Sequence, residues 1–190
     1  KRTNKMILPF STQLNGKPSY FPEKIVTGLE HNKIITFDEA EHLFATKVVI
    51  RKSKKENGLF TNTIIKLDGT QCYKVKLHTI REDKTDRWKV GTKIDFFINV
   101  RQPSMFRFAP VLPVVSIQQF EIKWVELTEK YPIILIDNKR FYDGIVKLDY
   151  ETNKMLQFAQ NDGFDTIEDF FNYFNSDFKG KIIHWTALKY

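Results

Sequence analysis

Residues 76–91 read Lys76-Leu-His-Thr-Ile-Arg-Glu-Asp-Lys-Thr-Asp-Arg-Trp-Lys-Val-Gly91, and this stretch decides how the rest of the chain is read. Lys76 to Arg81 mixes β-branched, aromatic and cationic side chains and reads as extended or loop-like backbone. An acidic pair, Glu82-Asp83, follows. Gly91 then precedes a run, Lys93 to Arg101, that alternates well enough for a strand.

Working outward, the flanks supply short strands rather than long helices. Met6 to Phe10 reads as a first strand, with Pro9 confining it to an edge or an end. Asn15-Gly16 and Lys17-Pro18 punctuate a loop. Pro22 suits the first turn of a helix reaching Leu29, and Thr36 with Glu39 has capping-box spacing ahead of Ala40, Leu43 and Phe44. Val48 to Arg51 reads as a strand, residues 52–58 as an exposed loop, Thr61 to Leu67 as a further strand and Asp68-Gly69 as a turn. Val111 to Glu126 is a long β-rich tract, broken near Pro113. Ile133–Ile136 and Lys139–Tyr142 flank Asp137-Asn138, a hairpin signal. Tyr150 to Gln160 reads as a helix that Asp162-Gly163 ends. Asp165, with Glu168 at box spacing, is expected to cap the next helix. Gly180 is expected to precede a last strand, Lys181 to Trp185. Many short strands with a few helices predict an α+β fold, a small mixed β-barrel with flanking helices, rather than a parallel α/β sheet.

The 190 residues predict one domain over 1–190, with 42% hydrophobic content and 17 phenylalanines to build a ring-rich core. The net charge of +7 favours an anionic partner, nucleic acid above all. Residues 74–107 carry much of that excess: nine cations against Glu82, Asp83, Asp86 and Asp95 leave a net +5, with Trp88, Phe106 and Phe108 interleaved. Cations beside aromatic faces can hold a phosphate chain by charge and a base by stacking. The ordinary alternative is a solvated basic surface over core-facing rings. Cys72 is the one cysteine, so no intrachain disulfide forms, which fits a reducing, cytoplasmic compartment. No apolar run is long enough for a membrane span, and no signal peptide is expected. Scattered histidines and one cysteine give no metal-ligand spacing, and no cofactor motif is present.

The ordered pattern Lys76-x-x-Thr79-x-Arg81, an acidic pair, then Trp88-Lys-x-Gly91 and a strand resembles the defining motif of ASCH domains, members of the PUA-like superfamily. Leu8-Pro-Phe10 and Ile182-Ile-His-Trp185 look like that family's flanks. The resemblance covers about residues 73–125 and 150–186, and leaves 11–70 as an insertion or elaboration. Val75 stands where the family has a glycine. The resemblance implies a PUA-like barrel that binds RNA or a nucleoside or nucleotide through a cleft facing the motif, with Lys76, His78, Thr79, Arg81, Trp88 and Lys89 as the binding set. Some ASCH members resemble N4-acetylcytidine amidohydrolases, in which a lysine, a threonine three residues on and a distant acid do the chemistry. Lys76 and Thr79 fall on the first two, and Asp162 lies nearest the third, one methylene shorter than the family's Glu. In that alternative a desolvated Lys76 near Arg81 would activate the Thr79 hydroxyl, and the acid would protonate the leaving amine. The bland readings are a phosphate-binding lysine, a β-forming threonine and a helix-ending Asp-Gly turn. His184, between Ile183 and Trp185, is expected to be structural.

Overall fold

The computed structural model describes residues 5–46, 63–65, 72–146 and 148–190. The expected strand at Val48–Arg51, the loop 52–58 and the Asp68-Gly69 turn lie outside the described residues. The described elements are, in order, β1 (Lys5–Phe10), β2 (Gln13–Leu14), β3 (Lys17–Pro18), α1 (Phe21–His31), α2 (Phe37–Thr46), β4 (Thr63–Ile65), β5 (Cys72–Lys74), β6 (His78–Arg81), β7 (Lys93–Ile98), β8 (Phe106–Arg107), β9 (Leu112–Pro113), β10 (Ser116–Glu126), β11 (Lys130–Ile136), β12 (Lys139–Asp143), α3 (Asp149–Asn161), α4 (Ile167–Tyr173) and β13 (Phe178–His184). The α+β class is therefore observed. The strands form separate sheets, and among the described residues no sheet closes into a barrel. No helix among them is long and apolar enough to cross a membrane.

The chain divides into two compact units. The first comprises residues 1–77 and 92–113. Its sheet is built on β7, which pairs in parallel with β1 and antiparallel with β8 and β9. Phe10, Phe21, Phe96 and Phe108 meet there, edge-on or stacked, with ring centroids 5.7–6.4 Å apart for each pair that touches. Ile25, Leu29 and Ile94 are fully buried in the same unit. The helix signals hold locally. Pro22 sits in the first turn of α1. The Thr36 amide donates to Glu39 Oε2 at 2.7 Å while the Glu39 amide donates to Thr36 Oγ1 at 3.2 Å, a reciprocal box.

The second unit comprises residues 78–91 and 114–190. Its five-stranded sheet runs β12-β11-β10-β13-β6. Strand β10 alternates: Gln118, Phe120 and Ile122 are buried, whereas Gln119 and Lys123 face out. The inner face packs on Phe158 of α3, whose ring lies 4.9 Å from Phe141, 5.7 Å from Phe170 and 6.0 Å from Phe120. The β11–β12 turn has φ +50° at Asp137 and +63° at Asn138, as a two-residue hairpin loop requires.

Two expectations shift by a residue or more. The cap of α4 is Thr166, whose hydroxyl accepts from the Asp169 amide at 3.0 Å, not Asp165 with Glu168. Thr-x-x-Asp takes the position one residue later, the Thr166 hydroxyl donating in turn to Asp169 Oδ2 at 3.0 Å. Gly180 lies inside β13 rather than before it. A Cβ there would sit 2.5 Å from the Arg81 carbonyl oxygen, so β13 and β6 approach at a spacing only glycine permits.

Candidate functional site

The motif strand β6 pairs with β13, placing Thr79 opposite Ile183 and His78 opposite His184. Strand pairing and the packing of α3 withdraw its side chains from solvent: His78 is 0% and Thr79 3% exposed. Asp162, which ends α3, turns its carboxylate onto this strand. Its Oδ1 accepts the Ile80 amide at 3.3 Å and lies 3.8 Å from His78 Nδ1. The Ile80 amide follows Thr79 directly, so the acid and the threonine are brought to one short piece of backbone. Burial lowers the pKa of Arg81 from its ordinary value, while the Asp162 and Tyr173 charges oppose that fall.

Behind His78 lies a second group of polar side chains. His78 Nε2 is 2.8 Å from the Tyr190 hydroxyl, which also accepts from Asn161 Nδ2 at 2.9 Å. His184 is fully buried, with ring centroids 5.3 Å from His78 and 6.0 Å from Tyr190. Among the described residues neither of its ring nitrogens has a hydrogen-bond partner. Burial takes its pKa down to about 4, the Asp137 charge resisting and Lys189 assisting. The structural reading of His184 fits this environment.

Lys76 belongs to the first unit. It is 1% exposed, its amide donates to the Lys24 carbonyl at 2.9 Å, and its ammonium stands 4.8 Å from the Phe21 ring centre and 6.0 Å from that of Phe10. Two aromatic faces offset part of the cost of burying the charge.

The loop after β6 is held by a device that sequence reading missed. Asp83, with its side chain 1% exposed, accepts the Arg87 and Trp88 amides at 2.9 Å each and Lys181 Nζ at 2.8 Å. Lys181 also donates to Asp86 and to the Trp88 carbonyl. Burial pushes the Asp83 carboxyl up, but these donors together hold it below its ordinary value. Lys181 is held above its own value against the same burial cost. Trp88 is 4% exposed and completes the loop from inside, so in this conformation its ring offers no face to a ligand. Lys89 is exposed and pairs with Asp86. The lysine–aspartate partners lie 98 positions apart in sequence, beyond the reach of any local pattern.

The outer face of the same sheet carries a concavity of about 560 Å³, whose lining includes Lys84, Gln119, Glu121, Asn138, Lys179 and Lys181. The one signal for it in sequence is the polar phase of the alternation along β10. No group of three or more His, Cys, Asp or Glu side chains able to hold a metal occurs among the described residues. No protein-family model, no curated protein and no solved structure matches this chain.

Proposed function

We propose that the chain is an ASCH-like module of PUA-like type that binds single-stranded RNA or a nucleotide, with the loop Glu82–Gly91 as its principal phosphate-contacting element. One observation carries this reading. In the basic stretch 74–107 two of the four acids are withdrawn from the surface, while six of the nine cations stay on it. The Asp83 and Asp95 side chains are 1% and 6% exposed and are engaged by Lys181, and by Lys5 and Arg107, respectively. Lys84, Arg87, Lys89, Lys93 and Arg101 remain exposed. Among the described residues, no ion pair holds Arg87, Lys93 or Arg101. Unpaired exposed guanidinium and ammonium groups are what a phosphate chain meets on approach, because nothing has to be released first. The pairing of β6 with β13 supports the family reading, since it joins the motif to the Ile182–Trp185 flank. Fluorescence anisotropy with short labelled single-stranded RNA at about 50 mM and about 200 mM salt tests the proposal. Binding that weakens steeply with salt supports it; absence of binding at the lower salt overturns it.

A second reading, hydrolysis of an N4-acylated cytidine by Lys76, Thr79 and Asp162, is favoured by one specific contact, that of Asp162 with the amide following Thr79. Incubation with N4-acetylcytidine, with Thr79→Val as control, decides it. Released cytidine that the variant fails to produce supports turnover, and no release removes the reading.

A further inference from the structure

The concavity on the outer face of the five-stranded sheet has a different chemistry from the loop beside it. Its charges cancel locally. Lys84 pairs with Glu82 at 3.1 Å, Lys179 with Glu121 at 3.1 Å, and Lys181 with Asp83 at 2.8 Å. A wall of closed ion pairs has little net field, so it gives a phosphate no advantage over water. What remains is directional. Gln119 and Asn138 present side-chain amides on the outer face, and among the described residues neither amide has a hydrogen-bond partner. Glu121 lies on the same strand as Gln119. Its Oε1 is shielded from solvent and engaged by the Lys179 and Lys123 ammonium groups at 3.1 and 3.4 Å, which leaves Oε2 as the carboxylate oxygen that can accept. A carboxylate that only accepts, next to amides that both donate and accept, matches the edge of a planar heterocycle bearing an exocyclic amino group. The volume, about 560 Å³, lies in the range of small-molecule sites.

We infer that this concavity is a base-recognition subsite, in which Glu121 accepts from an exocyclic amino group and Gln119 and Asn138 read the neighbouring ring positions of a nucleobase. The inference rests on the nucleic-acid reading above and deepens it: the loop holds phosphate by charge, and the sheet face selects the base by hydrogen bonds. A base bearing an amino group at this edge is preferred to uracil, which offers only carbonyls and a ring N–H. Because the subsite has no net charge, a nucleoside lacking phosphate still binds, and its affinity is nearly independent of salt.

The test uses the full chain, labelled with ¹⁵N, titrated separately with adenosine, cytidine, guanosine and uridine. The expected result is shifts centred on Gln119, Glu121 and Asn138 for at least one amino-bearing nucleoside, weaker by about tenfold for uridine, the size of one good paired base contact. The affinity should change less than about twofold between about 50 mM and about 200 mM salt. Gln119→Ala and Glu121→Gln should each lose about tenfold while keeping the wild-type spectrum elsewhere, which excludes unfolding as the cause. No shift at these residues with any nucleoside, or equal binding of all four, overturns the inference. If short RNA still binds under those conditions, only the subsite falls and the phosphate-binding reading stands; if RNA fails too, both fall.

Discussion

Replacing Lys181 by Met leaves the side-chain volume nearly unchanged and removes the ammonium that ties β13 to the loop after β6. Three acceptors lose their donor: the Asp83 carboxylate, the Asp86 carboxylate and the Trp88 carbonyl. Asp86 is exposed and water replaces what it loses. Asp83 is not: its side chain is 1% exposed and retains only the Arg87 and Trp88 amides. A hydrogen bond to a charged group contributes about 1.5–3 kcal/mol, and stranding one member of a buried pair costs about 3–5 kcal/mol when nothing else solvates it. With two amides still in place, the expected loss is about 2–3 kcal/mol, or a fall in Tm of about 5–10 °C for a chain of this size. All three tryptophans, Trp88, Trp124 and Trp185, belong to the second unit, so tryptophan fluorescence in a urea titration reports that unit. Lys181→Met combined with Asp83→Asn should recover about 1–2 kcal/mol relative to additivity, because the uncompensated charge is then gone. The pair is also ionised across the physiological range. The lowered Asp83 pKa gives stability lost only as pH falls through that lowered value. The raised Lys181 pKa gives stability lost only as pH climbs through that raised value. A Tm within about 2 °C of wild type, or strictly additive losses, would refute the idea that this lysine holds the loop.

Burial of His184 predicts acid sensitivity. Its folded pKa of about 4 lies below the ordinary 6.5, so the unfolded chain binds the extra proton between those values. The contribution is therefore complete above about pH 6.5 and is lost as pH falls towards 4, amounting to about 3 kcal/mol. His184→Phe should flatten the stability profile over that interval in urea titrations; an unchanged slope would count against the assignment. Gly180→Ala should separate β6 from β13, because the new Cβ would meet the Arg81 carbonyl oxygen at 2.5 Å, and backbone cannot step aside as a side-chain end can. The expected cost is about 1–3 kcal/mol, with faster hydrogen exchange at the β6 and β13 amides, and unchanged exchange there would exclude the close approach as the reason for glycine.

What could be read in advance was what neighbouring residues decide. The Thr36–Glu39 box, the Asp137-Asn138 turn and the Asp162-Gly163 helix end each follow from side chains within a few positions of one another, and each stands in the structure. The cap of α4 slipped by one residue because Asp165 and Thr166 compete for the same role and Thr166 makes the bond. Long-range pairing was beyond local pattern. The parallel partnership of β1 with β7 and the bond between Asp162 and Ile80 depend on packing rather than on spacing. Gly180 looked like a strand boundary, whereas its place is set by a carbonyl about a hundred positions away. The burial of the motif residues was not foreseen: polar side chains between a paired strand and a helix end leave no mark in composition. The concavity was missed because Gln119, Glu121 and Asn138 carry no motif, and it is the pairing of β10 with β11 that brings the Asp137-Asn138 turn beside Gln119.

The most direct test of the phosphate-binding reading is the slope of log affinity for short single-stranded RNA against log salt, measured for the wild type and for Arg87→Ala. Each phosphate contact contributes about 0.7 to that slope. A wild-type slope of about −1.4 or steeper, reduced by about 0.7 in the variant, is the predicted result. A flat slope, or a slope that Arg87→Ala leaves unchanged, would contradict it.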